Sequence, residues 1–192
     1  MAKVALVTGA NRGIGFAIAQ KLHENGFTVI GTHRTAPAED ADFASVECDI
    51  TVPESIDLAF ATIEDKFGPV QVLVANAGIT KDNLLPRMTE DDFSSVIEAN
   101  LTSAYRLTKR AIKPMMKEKW GRIILISSVV ANGGQAGQAN YAASKAGLVG
   151  LGRSIAKEFA SRNITTNIDA PAPVRTDKIE ALSEQQQERI LS

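Results

Sequence analysis

The sequence predicts an α/β chain built on a mainly parallel, doubly wound sheet with helices on its faces. Two observations carry this. Apolar runs of strand length alternate with helical periodicity from one end to the other, and a glycine-rich turn joins the first strand directly to the first helix. Strands separated by crossover helices pair in parallel, because each crossover must pass over a sheet face. At 192 residues the chain suffices for one domain, residues 1–192, with a sizeable core, and is short for two.

The elements follow in order. Val4–Val7 is a continuous apolar run, as a strand buried on both faces requires. After the turn Gly9-Ala-Asn-Arg-Gly-Ile-Gly15 an amphipathic helix spans Phe16–Glu24 and closes at Gly26. Thr28–Thr32 is the second strand, Ala36–Asp42 a polar loop, and Ser45–Cys48 a third, short strand. Pro53–Phe67 reads as a helix with proline in its first turn, where the missing N–H costs least. Val70–Val74 is the fourth strand. A helical region covers Asp91–Lys119 with a bend near Asn100 or Pro114, and Arg122–Ile126 is the fifth strand. A long helix Tyr141–Ser161, a sixth strand Ile164–Ile168 and a polar, helix-prone tail Thr176–Leu191 complete the chain, without repeats or linkers.

A formal net charge of -1 excludes a protein that works mainly by coating nucleic acid or an anionic membrane. Cys48 is the only cysteine, so no internal disulfide forms, which fits a reducing cytoplasm. The first apolar stretch is too short for a signal peptide, and no run reaches the roughly 18 apolar residues of a membrane-spanning helix. A soluble, cytoplasmic protein without a metal site is expected.

Tyr141 and Lys145 stand four residues apart on the last long helix and so share a face, a phenol beside an ammonium. Lowering a phenol from about 10 to about 7 takes roughly 4 kcal/mol of preferential phenolate stabilisation, which a nearby cation and hydrogen bonds can supply. Such pairs also occur on solvated helix faces. The glycine turn lets backbone N–H groups approach a pyrophosphate at the positive end of the first helix, and it equally serves as a plain strand-to-helix turn. At the end of the second strand, Thr32-His33-Arg34 has no carboxylate to bind a ribose 2′-hydroxyl, and Arg12 stands in the turn. This favours NADP(H) over NAD(H), the alternative being that Arg34 is merely solvated.

Thr8-Gly-x-x-x-Gly-x-Gly15 with Tyr141-x-x-x-Lys145 resembles the short-chain dehydrogenase/reductase family. Further pieces match in order: Cys48-Asp49-Ile50-Thr51, Ala75-Asn76-Ala77-Gly78, Asn100, Ser127-Ser128, and Pro171 with Thr176. The resemblance covers Lys3 to about Thr176 and implies a Rossmann-like domain. It implies Tyr141 as proton donor, Ser128 as a hydrogen-bond donor to the same substrate oxygen, Lys145 on the phenol and the nicotinamide ribose, and Asn100 positioning a water that refills the proton. On the same basis the cofactor contacts are Gly9, Asn11, Arg12, Gly13, Ile14, Gly15, His33, Arg34, Asp49, Ile50, Asn76, Ala77, Gly78, Tyr141, Lys145, Pro171, Val174 and Thr176. Taken singly, Ser128 is a turn or cap serine and Asn100 a kink or exposed polar residue.

The neighbourhoods Asn76–Leu85, Gly121–Ile124 and Gly137–Gly147 look most like the 3-oxoacyl-acyl-carrier-protein reductases of fatty acid synthesis. That likeness implies NADPH-dependent reduction of a 3-oxoacyl thioester. It also implies an acidic acyl-carrier protein docking on basic residues near the mouth, with Lys119 and Arg162 at matching positions. Each is equally an ordinary solvated charge. Relatives are commonly homotetramers through two long helices, and Leu148, Leu151 and Ile155 fit either such a seam or the core.

Three departures stand out. Ala170-Pro-Ala-Pro173 replaces the usual Pro-Gly, so the backbone contacts at Ala172 are in question. Asp169 takes a place where relatives carry an apolar residue, and burial without a partner would be costly. The chain ends at Ser192, where relatives continue through a further helix and a last strand. Besides the thioester reductase, two readings stay open: a reductase of another small carbonyl or polyketide, and an inactive nucleotide-binding or assembly module.

Overall fold

The fold was examined in a computed structural model, which describes residues 2–172. Six parallel strands form one sheet in the order β3-β2-β1-β4-β5-β6: β1 Val4–Val7, β2 Thr28–His33, β3 Ala44–Glu47, β4 Val72–Ala75, β5 Gly121–Ile126 and β6 Ile164–Asp169. Strands with a period of two bury alternate side chains on opposite faces. Leu6, Leu73, Ile123 and Leu125 therefore point to one layer, and Ala5, Val7, Val72 and Val74 to the other.

The first layer is built by α2 Pro53–Phe67, α4 Ser103–Glu118 and α6 Ala139–Phe159. They bring Ile56, Phe60, Ile63, Leu107, Met115, Leu148 and Ile155 against the sheet. On the second layer α1 Gly13–Glu24 packs Ile18, Ala19 and Leu22. Helices on both faces of a parallel sheet meet the doubly wound expectation. Each of Phe60, Leu107 and Met115 is at most 1 % exposed, so burying such a side chain contributes about 1.5–3 kcal/mol.

Three details position the site. The chain leaves β1 toward β2 and returns beyond β1 to β4, so the order reverses between β1 and β4 and opens a crevice at their carboxyl ends. The helix expected over Asp91–Lys119 is interrupted at Asn100: α3 Glu90–Ile97 passes through a π-helical turn, Glu98–Thr102, into α4, which continues through Pro114. A short α5 Val130–Gly133, whose first residue lines the crevice, and a 3-10 turn Leu85–Arg87 are not predicted by the hydrophobic pattern. The tail expected over Thr176–Leu191 lies outside the described residues.

Candidate active site

The glycine turn is held open by its neighbours. Thr8 is fully buried; its hydroxyl donates to Val74 O and accepts from the N–H groups of Asn76 and Ala77 at 3.0 Å each. Gly9 N donates to Thr32 Oγ1 at 3.1 Å and Ala10 N to Thr32 O at 3.0 Å, which fastens the turn to β2. Gly9 adopts φ +65°, and a Cβ at Gly15 would land on the Gly9 carbonyl oxygen and 2.5 Å from Asn76 Nδ2. The start of α1 carries no capping side chain and no acidic residue in its first turn. Its free N–H groups and the helix dipole therefore face an opening suited to a pyrophosphate. These residues fit a dinucleotide.

Beside the turn lies a cavity of about 200 Å³ lined by Gly9, Asn11, Arg12, His33, Arg34, Asp49, Ile50, Ala77 and Gly78 among others. The Asp49 carboxyl is held below its ordinary range, first by the Thr51 hydroxyl and then by the Thr51 N–H, with Arg34 adding a smaller pull. Arg12 and Arg34 are both among the residues lining this chamber at the end of β2.

A second cavity, about 260 Å³, shares Gly78 and Ile79 with the first. It brings together Ile14, Asn76, Ser128, Tyr141, Lys145 and Pro171, which are far apart in the chain. Ser128 reaches it from the carboxyl end of β5, and Tyr141 and Lys145 from one face of α6. The Lys145 ammonium is buried and lies 5.6 Å from the centre of the Tyr141 ring. It donates to Ile126 O at 2.7 Å, while Ser127 Oγ donates to Lys145 O at 2.9 Å and pins that turn of α6 to β5.

The electrostatics correct one expectation. The net shift of the phenol is upward: burial pushes Tyr141 above its ordinary value, the Ser128 hydroxyl offsets this in part, and Asp82 pushes it further up. Burial also lowers Lys145 from 10.5 to about 8. Desolvation outweighs the attraction because the ammonium is directed to a carbonyl rather than to the phenolic oxygen. The site holds a protonated phenol beside a lysine that loses its charge easily.

Asn100 sits in the π-helical turn, 2 % exposed, behind Gly78. Its Oδ1 accepts from Ile79 N at 2.8 Å, and its Nδ2 donates to Ile79 O and to Ser144 Oγ at 3.0 Å each. The Ser144 hydroxyl in turn donates to Tyr141 O at 2.7 Å. The side chain of Asn100 thus holds the cavity floor to α6. Ser144, Thr32 and Asn140 were not singled out from sequence. Each is buried and hydrogen-bonded through its side chain, a property that types and spacings do not reveal.

Lys119 ends α4 in the left-handed conformation and Arg162 lies in the 3-10 turn Ala160–Arg162, just before β5 and β6; both are exposed. In a parallel sheet that is the edge opposite Ser128, so neither is near the mouth of this chain's own site. Leu148 and Ile155 belong to the core, and Leu151, partly buried, packs against it. Asp169 is exposed and bears no burial cost. Among the described non-glycine residues only Lys119 and Asn163 have positive φ, so the backbone at Ala172 does not require glycine. Val174 and Thr176 lie outside the described residues.

Residues 3–187 match the family described as short chain dehydrogenase. The chain is 49% identical over 191 residues to the 3-oxoacyl-acyl-carrier-protein reductase MabA of Mycobacterium tuberculosis, covering 100% of this chain and 77% of that protein. It is 49% identical over 197 residues to the 3-oxoacyl-acyl-carrier-protein reductase FabG of Vibrio cholerae, and 48% identical over 197 residues to that of Escherichia coli. Each of these two alignments covers 99% of this chain and 81% of the relative.

Proposed function

The chain belongs to the short chain dehydrogenase family, and on that premise we propose that it reduces the 3-oxo group of an acyl thioester, carried by an acyl-carrier protein, to the 3-hydroxyacyl thioester, with NADPH as cofactor. An oxidoreductase using a nicotinamide dinucleotide follows from the family. The substrate and the choice of NADPH rest on the site and on the names of the relatives. The observation that carries the reading is the meeting of Ser128, Tyr141 and Lys145 in one cavity that adjoins a second lined by Arg12 and Arg34.

NADPH, when bound, supplies the hydride that the carbonyl carbon takes. Tyr141 gives its phenolic proton to the carbonyl oxygen, and the reaction balances as ketone, hydride and proton to alcohol. Its raised pKa keeps that proton in place at neutral pH. Ser128 Oγ donates a hydrogen bond to the same oxygen as negative charge develops there; one such preorganised donor is worth about 3 kcal/mol, on the order of a hundredfold in rate. Lys145 is still mostly cationic at neutral pH and stabilises the phenolate left behind. Asn100 keeps Ile79 and the Ser144 end of α6 in register.

Arg12 and Arg34, which line one cavity, with no carboxylate at the end of β2, suit a 2′-phosphate. Lys119 and Arg162 take part in carrier docking only where a homotetramer, which we also propose, sets the lower edge of one subunit beside the mouth of another. No described helix is long and apolar enough to cross a membrane, and the reading places the reaction in the cytoplasm. Comparing NADPH oxidation with an acetoacetyl thioester against a free ketone tests the substrate. Faster turnover of the thioester supports the reading; equal or faster turnover of the free ketone replaces it with a small-carbonyl reductase.

A further inference from the structure

Asn140 is 0 % exposed and stands immediately before Tyr141 in the first turn of α6. Its carboxamide makes three hydrogen bonds. Oδ1 accepts from Tyr141 N at 2.8 Å, satisfying one of the N–H groups that a helix start leaves free. Nδ2 donates to Lys81 O at 2.9 Å and to Asp92 O at 3.0 Å. One amide therefore ties the helix that carries Tyr141 to the loop following β4 and to the first turn of α3.

The same loop is fastened again at the surface. Gln138 Nε2 donates to Asp82 Oδ2 at 2.7 Å, and Asn83 N to Gly137 O at 2.9 Å. Lys81 pairs with Asp91 and Asp92 on α3. Upstream in this loop, Gly78, Ile79 and Thr80 line the cavity that contains Tyr141 and Ser128. We infer that Asn140 is a positioning residue: its buried carboxamide clamps the loop after β4 to the start of α6 and so sets the wall against which Tyr141 meets its substrate. The inference rests on the reductase reading for its kinetic consequence, and on the hydrogen bonds alone for its structural one.

The charged groups that face Tyr141 are Asp82 from the loop and Lys145 from its own helix. Releasing the clamp admits water to the phenol, whose burial is the main cause of its raised pKa. Losing that burial lowers the pKa, so the alkaline limb of the rate, where a proton donor is lost, shifts to lower pH.

Two variants test this. Asn140→Asp is isosteric, yet it turns a donor into an acceptor facing two carbonyls; Asn140→Ala removes the group. Both are expected to lower kcat on an acetoacetyl thioester by about ten- to hundredfold, as a displaced site does, with NADPH Kd within about twofold of wild type. The alkaline limb moves to lower pH. Amide exchange of residues 79–83 in the unliganded protein accelerates by at least about tenfold, while that of α1 is unchanged. An Asn140→Asp variant with wild-type kcat and wild-type exchange overturns the inference, and so does a loss of kcat matched by equal losses in NADPH binding and melting temperature with the limb in place. A wild type that ignores the thioester while the variants still exchange faster refutes the reductase reading and leaves the clamp standing.

Discussion

Replacing Lys145 by Met tests the electrostatics of the site through stability. Burial holds the folded pKa at about 8 against an ordinary 10.5, so the folded protein binds this proton less tightly than the unfolded chain does. A lysine depressed in this way costs stability while it is charged. The cost is complete below the folded value and vanishes as pH rises past the unfolded one, which makes its full size about 3 kcal/mol. Stability of the wild type relative to Lys145→Met must therefore rise with pH. Integrating the linkage between about pH 7 and about pH 9.5 gives a relative gain of about 2 kcal/mol. The lost bond to Ile126 O adds a constant offset, but it does not change the slope. Urea unfolding of both proteins across that range, without cofactor, measures the difference. Curves that stay parallel would refute an ammonium whose desolvation outweighs its hydrogen bond to Ile126 O.

Two further outcomes follow from the nucleotide crevice. Gly15→Ala puts a Cβ against the Gly9 carbonyl and Asn76 Nδ2, backbone and engaged amide that cannot yield cheaply; overpacking of this kind destabilises by about 1–3 kcal/mol in a melting experiment, and NADPH binding by titration should be lost with it. Arg34→Asp supplies the carboxylate that the end of β2 lacks and should weaken NADPH while improving NADH, about tenfold or more in the ratio of Kd values; an unchanged ratio removes Arg34 from the 2′-phosphate assignment.

The sheet was legible because its central strands β1 and β4 are continuous apolar runs and the edge strands β3 and β6 alternate, and β1 and α2 have the bounds their patterns indicate. Proline at the start of α2 and Gly68 after it mark both ends with residues whose conformations are restricted or permissive for stated reasons. The interruption at Asn100 was half legible. An asparagine in a helix signals a bend, but a π-helical turn depends on Ile79 and Ser144 arriving to bond its side chain. The site was legible as a set of residues because the glycine turn, the serine pair and Tyr141-x-x-x-Lys145 carry local spacing. Its electrostatics were not. The ammonium points to Ile126 O, on β5, and a separation of 19 positions along the chain hides that acceptor from any local pattern. Asn140 escaped for the same reason, since its partners on the loop and on α3 are distant in sequence. Lys119 and Arg162 show the limit of residue type: two basic residues that suit an acidic partner lie on the sheet edge away from the mouth of their own chain's site.

Steady-state turnover of Tyr141→Phe with NADPH and an acetoacetyl thioester addresses the proton donor itself. Removing one hydroxyl from a side chain in the cavity should abolish measurable reduction, a fall of at least about a hundredfold, while NADPH affinity stays within about twofold. A variant that retains wild-type kcat would show that the phenol does not protonate the substrate oxygen, and the catalytic assignment of the cavity would fall with it.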